Sequence, residues 1–128
     1  MNTFTAKAPV STQLIADQVV TAFEGGITYW VDKADLITPD RATLKEKPWY
    51  SDPKLYEGQF RILIVQEDEH IKGAGRDLFL TPENVQTGLD VMAAKYGNHF
   101  RDMMQENGDA STADVFLQCC LFSELVYG

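Results

Sequence analysis

The run from Ser111 to Gly128 constrains this chain more than any other stretch. Between Val115 and Val126 only Gln118, Ser123 and Glu124 are strongly polar. A helix apolar on nearly every side belongs in an interior, because none of its faces suits water. Ser111 or Thr112 can cap its start, and Asp114 suits the positive end of the helix dipole. The pattern predicts one central helix reaching toward Val126, with the other elements packed around it. Glu124 interrupts the apolar run and is expected at a solvent edge or paired with an Arg or Tyr. Tyr127 is the residue of this stretch to watch for a surface or interface role.

At 128 residues and 45% apolar content the chain fits a single domain, 1–128, with a continuous core. No run approaches the roughly 20 apolar residues that cross a bilayer. Met1-Asn2-Thr3-Phe4 leads into no apolar signal region, so a cytosolic protein is expected. Adjacent Cys119 and Cys120 point about 100° apart on a helix, which suits small core side chains better than a disulfide. With only His70 and His99 to add, these cysteines make no recognisable metal set, and no metal or cofactor is expected.

Residues 1–10 carry no firm pattern. A helix then runs from a cap at Ser11 or Thr12 to near Glu24, with Leu14, Ile15, Val19, Ala22 and Phe23 along one stripe. Gly25-Gly26 is read as its stop, since glycine tolerates positive φ. Ile27–Val31, rich in β-branched and aromatic residues, reads as a strand, and the pattern fades over 32–40. Residues 41–56 read as an ordered loop over the body of the domain, or as a recognition loop, because Trp49, Tyr50 and Tyr56 crowd into it. Gln59–Gln66 and Arg76–Leu80 are predicted to form a hairpin around an acidic turn. Thr81-Pro82-Glu83 opens a helix to Tyr96, and a short helix after Gly97 carries Phe100, Met103 and Met104. The fold class this implies is α+β, a small, mostly antiparallel sheet packed against several helices.

The net charge of −8 is unevenly placed. Residues 67–128 hold 11 acidic and 4 basic side chains and so carry −7 of it. That balance makes direct nucleic-acid binding and anionic-membrane binding unfavourable. It permits a protein partner with a basic surface, although many cytosolic proteins are acidic for solubility alone.

Three groups of residues are candidate sites. Glu24, Tyr29 and Trp30 flank the two glycines, where exposed backbone can meet a ligand or a partner; the alternative is a helix stop followed by a core strand. Trp49 and Tyr50, with Arg41, Lys45, Lys47 and Lys54 nearby, can anchor a partner or simply pack on the sheet. Glu67, Asp68 and Glu69 form an acidic turn that is either solvated or turned toward an Arg/Lys-rich surface. There is no Walker loop, no HExxH, no nucleophile elbow and no cysteine–histidine signature, so no catalytic residue is assigned.

Glu24-Gly25-Gly26-Ile27-Thr28-Tyr29-Trp30 and Thr112-Ala113-Asp114-Val115-Phe116-Leu117-Gln118, followed by Glu124-Leu125-Val126-Tyr127-Gly128, resemble stretches of small uncharacterised bacteriophage and prophage proteins. The resemblance implies a phage accessory protein acting in the cytoplasm of a bacterial host, and it carries no catalytic residues across. The expected function is to bind a host or defence protein with a basic surface, with inhibition of that protein as one outcome. The rival expectation is a small-ligand or nucleotide-sequestering protein, recognised by a deep pocket where Glu24, Tyr29 and Trp30 converge. A homodimer is the default closed assembly for such a chain.

Overall fold

The computed structural model describes residues 9–128; the unpatterned residues 1–8 lie outside it. Helix α1 (Thr12–Thr21) starts where the sequence predicts, with the Ser11 hydroxyl accepting from the Leu14 amide at 3.0 Å. It does not stop at a glycine of positive φ. The chain runs on through a π-helical turn, Ala22–Gly26, and neither Gly25 nor Gly26 is left-handed. Gly26 is there for proximity instead. A Cβ at that position would lie 2.6 Å from the Ala110 carbonyl oxygen at the start of the last helix.

The strand expected at Ile27–Val31 is displaced. The Ile27 amide still bonds the Ala22 carbonyl, and the Trp30 and Val31 amides both bond the Ile27 carbonyl, so residues 27–30 form turns. Burial of Ile27 and Trp30 decides their conformation over their β-propensity. Strand β1 is Val31–Thr38, the stretch in which the sequence pattern fades. It is an edge strand with Leu36 as its one buried side chain, so it has no alternation to display.

Three short 3-10 turns, Arg41–Thr43, Trp49–Ser51 and Pro53–Glu57, carry the chain onward as the ordered loop expected from its aromatics. Buried Asp52 holds this loop together, accepting from the backbone amides of Lys45, Glu46 and Lys54. Strands β2 (Arg61–Gln66) and β3 (Asp77–Leu80) form the predicted hairpin, and the antiparallel sheet has the order β1-β2-β3. The register pairs Ala34 with Ile64 and Leu36 with Ile62 on one side, and Ile62 with Leu80 on the other.

Helix α2 (Pro82–Lys95) opens at Thr81 as predicted, and α3 (Gly97–Met104) follows after Tyr96 alone. The last helix, α4 (Ala110–Phe122), is capped by Asp109, which accepts from the Thr112 amide, and not by Ser111 or Thr112. Ala113, Phe116, Leu117, Cys119 and Cys120 on α4 are buried, and the helix meets α1, α2, α3, the π-helical turn and β3. Full burial of a side chain the size of Phe116 contributes roughly 1.5–3 kcal/mol. The α2–α4 crossing is close because Gly88 has no side chain: a Cβ there would lie 2.3 Å from the Cys120 Sγ.

The central helix is shorter than its apolar run suggests. It ends at Phe122, and Ser123 takes the left-handed conformation at φ 59°. The remaining residues fold back over the domain. The result is an α+β fold, with the antiparallel sheet packed against four α-helices.

Candidate functional site

The segment Glu24–Trp30 sends its side chains to different sides of the molecule. Trp30 turns inward and is 2% exposed. Its Nε1–H donates to Asp114 Oδ1 at 2.9 Å, and its ring stacks on Tyr127 with centroids 4.9 Å apart and planes 10° from parallel. Tyr29, half exposed, donates its hydroxyl to the other carboxylate oxygen of Asp114 at 2.5 Å. Glu24 points elsewhere and accepts from the Tyr50 hydroxyl at 3.1 Å. The convergence of Glu24, Tyr29 and Trp30 on one pocket is therefore not what the fold provides, and Trp30 is spent inside.

Gln118 ties the Tyr29–Trp30 side together. Its Nε2 donates to Asp114 Oδ1 at 2.9 Å and to the Tyr127 carbonyl at 3.2 Å. Its Oε1 accepts from the amides of Val126 and Tyr127, both at 2.8 Å. A buried amide satisfied on both ends fixes its neighbours, because freeing any of these groups would leave it dry and unpaired. A cleft of about 360 Å³ opens beside this network, lined by Tyr29, Ser111, Asp114, Gln118, Leu125 and Tyr127 among others. Partial burial and the neighbouring Asp114 push the Tyr29 hydroxyl up to about 12. It is a hydrogen-bond donor at neutral pH and no ready base.

A second cleft, of about 230 Å³, lies on the other side of the segment, between the aromatic loop and β1. Phe23, Trp49 and Tyr50 meet there edge to face, with ring centroids 5.0–6.2 Å apart. Ile27, Thr28, Val31, Asp32, Lys33 and Ala34 complete its lining. Trp49 and Tyr50 thus share a wall with Glu24 close by, as neither sequence group alone foretold. The Arg41 guanidinium lies over the Trp49 ring at 5.4 Å and pairs with Asp35.

The acidic turn divides in role. Glu67 and Asp68 are exposed, whereas the Glu69 carboxylate accepts from the Gly73 and Gly75 amides, which hold it below the usual carboxylate range. The turn is fastened to the end of the chain, since the Tyr127 hydroxyl donates to Gln66 Oε1 at 2.6 Å. Tyr127, which sequence marked for a surface role, is half-buried in this clasp.

Asp114, Gln118 and Gln66 escape a motif search because each works through partners far away in the chain. The single amide in an apolar helix was the available signal for Gln118. Burial pushes the thiols of Cys119, to about 11, and Cys120 upward, so neither is a thiolate at neutral pH. Among the described residues no group of three His, Cys, Asp or Glu side chains is placed to hold a metal ion. No helix among them is long and apolar enough to cross a membrane. Comparison with protein-family models, curated proteins and solved structures gives no match.

Proposed function

We propose that this chain is a phage-type accessory protein that binds a bacterial host or defence protein through its acidic surface. One observation carries the reading: most of the carboxylates are exposed, and few are matched by a basic side chain within the fold. The sequence has 19 acidic side chains, yet among the described residues the side-chain ion pair is the single one between Arg41 and Asp35. A dense field of one sign steers and orients an oppositely charged surface. Glu67 and Asp68, on the hairpin turn fixed by Gln66 and Tyr127, are well placed within that field. The resemblance to phage stretches supports a bacterial target. The small-ligand alternative loses its main support, because Trp30 is buried, Tyr29 bonds Asp114 and Glu24 bonds Tyr50, so the three do not converge on one pocket.

The test is capture from bacterial lysate with the wild-type chain and with the double variant Glu67→Lys/Asp68→Lys. A specific basic protein retained at low salt, weakened at moderate salt and lost by the variant is the expected result. No specific protein at either salt, or one retained equally by the variant, would contradict the reading.

A further inference from the structure

The second cleft has a strand edge as one wall. The Glu67 amide bonds the Trp30 carbonyl across the β1 side of β2, and the Gln66 amide bonds the Arg76 carbonyl on the β3 side. In an antiparallel ladder this direction alternates residue by residue. Leu63 and Val65 therefore face β1, and their partners Asp35 and Lys33 face back toward β2. Ala34, between them, directs both its N–H and its C=O away from the sheet, toward the cleft it lines. The next outward amide, that of Leu36, is already taken by the Asp35 side chain at 2.9 Å. Irregularities at Val31/Lys33 and Leu36/Thr38 bracket the open stretch. Among the described residues, nothing pairs with the Ala34 backbone.

We infer that this edge and the Phe23–Trp49–Tyr50 wall together form a docking groove for an extended segment of the partner protein, one bearing an aromatic or aliphatic side chain beside a Lys or Arg. The inference deepens the partner-binding reading and rests on it. Three features define the occupant. An outward N–H and C=O on one residue are met together by another backbone in extended form. The cleft of about 230 Å³, walled by three aromatic rings, takes one large apolar side chain and not a folded element. The charges at the rim are Asp32 and Lys33 with Glu24 close behind, while Arg41 is matched to Asp35; the surplus is negative and favours a basic neighbour. Strand addition supplies the register, and the aromatic wall supplies most of the affinity.

The experiment pans a library of random linear peptides on the purified full chain, then measures the best synthetic peptides by fluorescence titration. The expected consensus is an apolar residue next to Lys or Arg. Ala34→Pro, which deletes the outward donor, and Trp49→Ala, which opens the wall, are each expected to weaken binding about tenfold or more. N-methylation of the peptide's pairing amide should do the same while leaving the protein untouched, so a misfolded variant cannot mimic the result. Peptides indifferent to all three changes overturn the inference. If their binding depends instead on Glu67 and Asp68, the acidic-surface reading survives and the groove does not. If no basic peptide enriches, both fail. Self-association abolished by Ala34→Pro would give the edge to a second copy and would also overturn the inference.

Discussion

Gln118 spends its whole amide inside the fold, on Asp114 and on both directions of the Val126–Tyr127 backbone. Replacing it with Leu keeps the apolar volume but strands two amides and a carbonyl. A loss of about 2–4 kcal/mol is expected in urea denaturation, together with a loss of near-ultraviolet signal from the Trp30–Tyr127 stack. Tyr29 gives a second prediction at this scale. Its phenol should titrate with a midpoint near 12, and Asp114→Asn should bring it only partway back, since burial, the largest single cause, remains. A raised folded value means that its contribution to stability is complete below the ordinary tyrosine value of 10 and disappears as pH climbs toward 12. Absorbance titration against Tyr29→Phe isolates this group. The sequence showed Gln118 as an amide in an apolar run, but its partner Tyr29 lies 89 residues away and is brought near only by packing.

At the scale of elements, the helices with local start signals were legible. Ser11 and Thr81 cap α1 and α2 as their spacing predicts, and the β2–β3 hairpin follows its apolar run. What the sequence concealed was β1. Asp32, Lys33 and Asp35 fall where the apolar pattern fades, yet an edge strand holds them in the open with only Leu36 needed inside. The strand-like Ile27–Trp30 became turns that bury Ile27 and Trp30, the latter against α4 and the returning tail, while Thr28 and Tyr29 stay outside. The end of α4 was equally hidden, because an apolar helix and an apolar tail folded against the core share a composition. The α2–α4 crossing yields the prediction for this scale. Gly88→Ala forces a methyl onto Cys120 and should destabilise by about 1–3 kcal/mol, whereas Gly97→Ala, with open space around it, should not. Thermal denaturation of the two variants side by side separates steric crowding from helix propensity.

For the whole molecule, carboxylates also brace the loops, one of them buried and two at the surface. Asp52 is held low first by the Lys54 amide, Glu69 by the Gly73 amide and Asp109 by the Thr112 amide. A depressed folded value means a contribution complete above the ordinary carboxylate range near about 4, and lost as pH falls through the lower folded values. Stability should hold from neutrality to about pH 4 as far as these groups are concerned, then drop. Asp52→Asn should be less stable at pH 7 and show a shallower acid limb in denaturation followed against pH. The candidate site was legible in its parts, since Glu24, Trp49 and Tyr50 were all singled out, but not in its grouping. Which side of a turn each aromatic takes is decided by the core on either side of it.

The two tryptophans divide the work: Trp30 is structural, locked by Asp114 and Tyr127, while Trp49 stands at the open groove. Acrylamide quenching of two single-tryptophan variants, Trp49→Phe and Trp30→Phe, measures this division directly. The Trp30 emission surviving in Trp49→Phe is expected to be strongly shielded, and the Trp49 emission surviving in Trp30→Phe to be readily quenched with the fold intact by circular dichroism. Equal quenching of the two, or greater access to Trp30, would contradict the division.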